Sequence, residues 1–227
     1  MNKILRTLAI AVIAIAGTFG TEASAQTGHA EGKPAQEGIR ADGRIVNAVQ
    51  MYEDENFTGA KTMLDAILKT SPDNDAAWYY RGLCNMRLKN AADSERDLKQ
   101  AVALDSTNYW YRYMLAGLYG MTGRSVLTID MYESLLRDFP KKSELYYSLV
   151  DIYISQGDYE KALGMLDSLE AVSGKSDPTV VTRYQLLLQL RRPEEAHDCL
   201  LAYSREYASP QVLSMLGDYE MSLYRDS

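Results

Sequence analysis

The sequence predicts an all-α protein, a right-handed α-solenoid of stacked helix-turn-helix hairpins, and three observations carry that expectation. The first is amphipathic helical spacing, clearest in SELYYSLVDIYISQGDYEKALGMLDSL, Ser143 to Leu169. Leu145, Tyr146, Leu149, Ile152 and Tyr153 recur at three- and four-residue steps, as do Ala162, Leu163, Leu166 and Leu169, so each half gathers its apolar residues on one helical face. The second is a 34-residue period. From Ala162 it reaches Thr128, Ser94 and Ala60 backwards and Ala196 forwards, all small; from Leu166 it reaches Tyr132, Leu98, Leu64 and Leu200; from Leu169 it reaches Leu135, Ala101, Ile67 and Tyr203. The third is that Pro72 and Pro140 fall two periods apart, each closing a helix that proline cannot continue. A lone hairpin cannot bury both of its apolar faces, and neighbours at a fixed period supply the cover.

The elements follow in order. Residues 1–25 carry Lys3 and Arg6, an apolar run from Leu8 to Ala16, and Ala23-Ser24-Ala25. This is the pattern of a cleavable secretory signal peptide, cut near Ala25, which places the mature chain in the periplasm or outside the cell. Leu8 to Phe19 is well short of the ~20 residues a helical span needs, so no integral membrane span is expected in the mature chain. Residues 26–40, QTGHAEGKPAQEGIR, have almost nothing large to bury and read as a flexible spacer.

Five hairpins are expected over 41–210, divided 41–74, 75–108, 109–142, 143–176 and 177–210. The first turns at Glu55-Asn56-Phe57, and Asn47 and Gln50 weaken its leading helix, as suits an end repeat with one face in water. The fourth turns at Gln156-Gly157-Asp158, where Gly157 accommodates a left-handed backbone and Asp158 caps the next helix. In the fifth, Arg191-Arg192-Pro193 replaces the glycine turn, and its register is expected to be off by a residue. Residues 211–227 read as the first helix of a further, incomplete repeat; Val212, Leu213, Met215, Leu216, Met221, Leu223 and Tyr224 make it apolar on more than one side.

The 34-residue unit resembles the tetratricopeptide repeat, whose two helices carry a W..LG..Y and an A...F...P pattern. Trp78 and Gly82 fill the tryptophan and glycine slots of the second copy, Leu115 and Tyr119 fill later slots of the third, and Leu149, Tyr153 and Ala162 bring the fourth nearest to the pattern. Arg81 and Arg183 depart from it, standing where leucine is usual. The resemblance implies a concave groove lined by the first helix of each hairpin. Carried onto this chain, the groove residues are Tyr79, Met86, Arg87, Trp110, Tyr113, Met121, Tyr147, Asp151 and Gln185. An aromatic, methionine-containing lining with few charges suits an apolar or helical segment of a partner protein. With Arg87 as the one cation of this set, the family's lysine-and-asparagine clamp for a terminal carboxylate is not expected.

Chemistry has little to work with. His29 lies in the spacer, and His197 sits beside Glu194, Glu195 and Asp198 on a charged helix; one imidazole among carboxylates reads as a solvated face rather than a metal site. No serine or cysteine has a histidine placed to activate it, and no glycine-rich phosphate loop follows a strand. No cofactor is expected. Cys84 and Cys199 lie three repeats apart, too far for an internal disulfide in a stack of this kind. The net charge is −7, and losing Lys3, Arg6 and Glu22 with the leader makes the remainder one unit more acidic, which argues against nucleic acid as a partner. The expected function is a non-catalytic protein–protein interaction scaffold, exported from the cytoplasm. Two alternatives remain open: an assembly or oligomerisation component of a cell-envelope complex, self-associating through the open C-terminal end, and the targeting region of a longer enzyme or signalling protein.

Overall fold

The computed structural model describes residues 43–225, with side chains as far as Met221, so the expected leader (1–25) and spacer (26–40) lie outside the described residues. Those residues form eleven helices: α1 (Gly43–Glu53), α2 (Phe57–Thr70), α3 (Asp75–Arg87), α4 (Ala91–Leu104), α5 (Tyr109–Met121), α6 (Ser125–Asp138), α7 (Ser143–Gln156), α8 (Tyr159–Ser173), α9 (Asp177–Gln189), α10 (Pro193–Glu206) and α11 (Pro210–Arg225). The fold is all-helical, built of paired hairpins. Two compact units divide it, Met1–Leu135 and Leu136–Ser227, with the boundary in the last turn of α6. Among the described residues no helix is long and apolar enough to cross a membrane.

The hairpin corners show how local sequence sets the period. The chain reverses through a residue of positive φ at Glu55 (60°), Lys89 (60°), Gly123 (75°), Gly157 (74°) and Arg191 (57°), each 34 residues after the last. The next amide then donates to a carbonyl five residues back: Asn56 to Met51, Asn90 to Asn85, Arg124 to Tyr119, Asp158 to Tyr153 and Arg192 to Leu187, at 2.8–2.9 Å. This is the bond of a Schellman motif, which satisfies carbonyls the helix end would leave open. It also corrects the expectation for the fifth hairpin. Arg191 adopts the left-handed backbone that Gly157 adopts one period earlier, so the register there is unbroken.

Caps fix the opposite ends. Asn56, Asn74, Asn90 and Asn108 each accept a hydrogen bond from a backbone amide in the first turn of the following helix, and Asp158 and Ser176 do the same in unit two. The helix-closing prolines have a shared use as well. Pro72 accepts from the Trp78 indole at 2.8 Å and Pro140 from the Tyr146 hydroxyl at 3.0 Å, each six residues on.

The three columns of the period are core in both units. Ala60, Leu64, Ile67, Ser94, Leu98, Ala101, Thr128, Tyr132 and Leu135 are buried in unit one, and Ala162, Leu166, Leu169, Ala196, Leu200 and Tyr203 in unit two. Gly82 shows why small residues recur at the crossings, since a Cβ there would come within 2.9 Å of the Leu98 side chain.

At the two departures from the leucine pattern, the arginines are held by carboxylates. Arg81 donates from Nε and Nη2 to Asp97 and from Nη1 to Asp65, at 2.7–2.8 Å; Asp97 is fully buried and also accepts from Asn85 at 2.9 Å. Three periods on, Arg183 pairs with Asp167 at 2.8 Å and Glu170 at 3.1 Å. Asp65, Asp75 and Arg81 thus recur as Asp167, Asp177 and Arg183. Asp75 accepts from the Tyr111 hydroxyl at 3.1 Å, and Asp177 from Tyr203 at 2.7 Å and Ser209 at 2.6 Å. Finally α11 closes unit two by packing Val212 and Leu216 against Val180, Leu200 and Tyr203, while Leu213 and Met221 face solvent, so it is indeed apolar on more than one side.

Candidate functional site

In unit one the first helices α1, α3 and α5 are joined by a ladder of rings. Tyr52 meets Tyr80 at 5.9 Å, Tyr80 meets Tyr79 at 5.2 Å, and Tyr79 meets Tyr111 at 4.8 Å. Burial raises the hydroxyls of Tyr79 and Tyr111, with Asp75 adding to the effect at Tyr111, and pushes Tyr80 up to about 12. The expectation for Tyr79 therefore needs correcting. It is 4% exposed and acts as a rung between α3 and α5, with no surface left for a partner. Aromatic residues at helical spacing satisfy a core as readily as a binding face, and here the neighbouring helix decided.

A second aromatic group stands on α5 and α6. Tyr109 packs edge-on to Trp110 at 5.1 Å and stacks on Tyr113 at 5.5 Å, and Tyr113 reaches Tyr132 at 5.6 Å. Tyr109 and Tyr132 are buried, whereas Trp110 and Tyr113 are half-buried, the arrangement of an anchored aromatic edge. Met121, at the last position of α5, is 71% exposed. At the end of α3, Met86 is half-buried against the core, and the Arg87 guanidinium lies 4.9 Å over the Phe57 ring and 3.8 Å from Glu55. Unit one thus brings Trp110 and Tyr113 together and sets Met86 beside Arg87. In unit two Tyr147 and Asp151 lie one turn apart on α7, both exposed, and Gln185 is exposed on α9. Desolvation raises the Asp151 carboxyl above its ordinary value.

Sequence reasoning missed Tyr109 and Tyr132 as the support beneath Trp110 and Tyr113. The signal was present, since Tyr109 precedes Tyr113 by one helical turn and Tyr132 lies in the Leu166 column. It also missed an open pocket of ≈ 370 Å³ in unit two, lined by Leu163, Asp167, Arg183, Leu187, Arg192 and Cys199 among others. Its charges are already matched: Asp167 on Arg183, and Glu160 and Glu195 on Arg192.

Nothing in these groups is poised for covalent chemistry. Burial pushes the Cys84 thiol up to about 12 and Cys199 up to about 11, so both remain protonated at neutral pH. Cys199 donates to the Ala196 carbonyl at 3.1 Å. Among the described residues no three His, Cys, Asp or Glu side chains converge to hold a metal ion.

Helical hairpins at a fixed period, with exposed aromatic edges and paired charges, define a helical-repeat scaffold, a class that is typically non-catalytic. A family model described as tetratricopeptide repeat matches residues 52–109 and 129–178, just under half of the chain. Repeats of this family mediate protein–protein and peptide binding. Among solved structures, one of MamA shares 20% identity, with 72% of this chain and 90% of that one covered and a TM-score of 0.62. A MamA from Desulfovibrio magneticus RS-1 shares 12%, covering 75% and 100%, with a TM-score of 0.60. YrrB, described as a protein of this family with an unusual peptide-binding site, shares 12%, covering 78% and 92%, also with a TM-score of 0.60. At such identities the likeness is one of fold. No curated protein matches the chain in sequence.

Proposed function

We propose that this chain is an exported, non-catalytic scaffold that holds a segment of a partner protein on the faces of its first helices. The observation that carries the reading is the α5 edge, where Trp110 and Tyr113 are half-exposed on buried Tyr109 and Tyr132. Aromatic side chains fixed from below offer large contact area while losing little conformational freedom on binding, which is why such residues dominate interface energetics. Met121 extends the same helix with an adaptable apolar side chain. The described likeness of YrrB, a peptide binder, supports the same mode. Export rests on the leader alone: Lys3 and Arg6, the apolar run, and Ala23-Ser24-Ala25.

A second reading, self-association in an envelope assembly, is favoured by one observation. Leu213 and Met221 leave the outer side of α11 apolar, at 50% and 61% exposure.

The deciding experiment places a photocrosslinking amino acid at position 113 in the native cell, with position 99 on α4 as control, and fractionates the cells first. A defined adduct from 113 alone, in the exported fraction, supports the scaffold and names its partner. Adducts only between copies of the chain favour the assembly reading, and a wholly cytoplasmic, uncleaved product removes the export claim.

A further inference from the structure

Arg81 and Arg183 stand three periods apart, and their guanidiniums are engaged differently. Arg81 donates from all three of its nitrogens, Nε and Nη2 to Asp97 and Nη1 to Asp65. Three periods later Asp65 recurs as Asp167, but Asp97 recurs as Cys199 and Asn85 as Leu187. Arg183 meets both of its carboxylates, Asp167 and Glu170, through Nη2. Its Nε and Nη1 find no acceptor among the described residues, although the side chain is only 18% exposed. Donors so far withdrawn from water are costly to leave unmatched. The Cys199 thiol turns instead to the Ala196 carbonyl, donating at 3.1 Å.

These open donors border the ≈ 370 Å³ pocket between α8, α9 and α10, where Leu163 and Leu187 form an apolar wall. Each charge on the rim has a partner, yet the signs do not balance, since Glu160, Asp167 and Glu195 stand against Arg183 and Arg192. Arg192 is fully engaged, Nε and Nη2 with Glu195 and Nη1 with Glu160. The three carboxylates are each more than half exposed. A ligand matched to this set brings hydrogen-bond acceptors for Arg183 and a positive charge for the carboxylates, joined by an apolar stem. An anionic ligand would add to the negative excess.

We propose that this pocket binds a lysine-bearing peptide segment of a partner protein. Peptide carbonyls accept from Nε and Nη1 of Arg183, the lysine methylenes lie along Leu163 and Leu187, and the ammonium reaches the exposed carboxylates. The site lies within unit two and does not rest on the α5 edge. The acceptor that unit one carries internally, as Asp97, unit two takes from its ligand.

The test titrates the isotope-labelled full chain at low ionic strength with Nα-acetyl-lysine N-methylamide, which carries two peptide carbonyls and the ammonium, and follows backbone amide shifts. Saturable shifts should centre on the pocket residues of α8, α9 and α10. The norleucine analogue, which lacks the ammonium, should bind about threefold more weakly, the scale of one exposed ion pair, and the glutamate analogue should give no saturable shift. Asp167→Asn should weaken the lysine probe by a similar factor. Cys199→Asn, which offers Arg183 an amide carbonyl from within, should compete with the probe and weaken it too. Gly164→Leu fills the rim at a position where an added Cβ meets nothing within 4 Å, so it should abolish the response without lowering the melting temperature. No saturable shift with the lysine probe, equal binding of lysine and norleucine probes, shifts that avoid the pocket, or undiminished binding by Gly164→Leu would each overturn the proposal.

Discussion

Arg81 holds Asp97 through two parallel hydrogen bonds, Nε to Oδ2 and Nη2 to Oδ1, each 2.8 Å long, and Asp97 has no exposed surface. A fork matched to a carboxylate is the strongest form of such a contact, yet both charges were removed from water to make it. Breaking one side and replacing both should therefore differ sharply. Arg81→Leu puts the repeat's usual residue there but takes the fork from Asp97, which keeps only Asn85 at 2.9 Å and Arg96 at 3.2 Å, and should lower unfolding free energy by about 2 kcal/mol in urea. Arg81→Leu with Asp97→Leu should recover most of that loss. A single variant as stable as the parent would show that the pair is not coupled as its geometry implies.

The corner residues give a test of backbone strain. Lys89 holds a φ of 60° that costs an L-residue roughly 1–2 kcal/mol, whereas Gly157 holds 74° without a Cβ. Lys89→Gly should therefore stabilise the chain by about 0.5 kcal/mol after the flexibility of glycine in the unfolded state is counted, and Gly157→Ala should destabilise it by about 1 kcal/mol. Thermal unfolding of both variants measures this. Shifts of the same sign would contradict the shared conformation.

Helix crossings give a third. Ala162 is fully buried, and a larger side chain has nowhere to go; Ala162→Leu should cost about 1–3 kcal/mol by overpacking. An unchanged melting temperature would mean that α8 can shift to accommodate the added volume.

Asp177 should contribute to the acid dependence of stability, as should Glu95, Asp158 and Glu195, whose carboxyls are lowered as well. Hydrogen bonds from Ser209 and Tyr203 hold its carboxyl below the usual carboxylate range. Stability from that group is present above the unfolded carboxylate's titration and is lost as pH falls through the depressed folded value. Asp177→Asn should therefore flatten the fall in urea midpoint below about pH 4. If the variant and parent fall in parallel, those two hydrogen bonds do not set the acid limb.

For the α5 edge, Trp110→Ala with Tyr113→Ala should abolish co-purification of the partner that the crosslink names, while circular dichroism stays close to that of the parent. An equal loss of helicity would assign both residues to structure, in the way that Tyr79 is already assigned.

These residues also show where sequence is informative. The three buried columns were legible because a crossing between helices constrains size at one position per turn, and that constraint repeats with the hairpin. The corner at Arg191 was misjudged because glycine was taken as the requirement, whereas the requirement is a left-handed backbone that arginine also adopts at some cost. Tyr79 was misplaced because helical spacing identifies a face without telling which neighbour covers it. The partners of Arg81 were invisible for a related reason: Asp65 and Asp97 lie 16 residues to either side, on separate helices, and only the packed hairpins bring them to one guanidinium.

The two arginine networks bear on how such a chain assembles. A stack made only of leucine columns presents every hairpin with interchangeable neighbours, and a hairpin that docks one place out of turn loses little. Here Arg81 finds acceptors on α2 and α4, and Arg183 finds them on α8, while the corresponding residues in the intervening hairpins are Leu115 and Leu149. A misplaced neighbour would part Arg81 from Asp65 on α2, and Arg183 from Asp167 and Glu170 on α8, while Asp97, on the same hairpin as Arg81, keeps its fork. The order of the hairpins is thus addressed by charge, which shuffling or deleting a repeat would scramble even where every apolar contact could be remade.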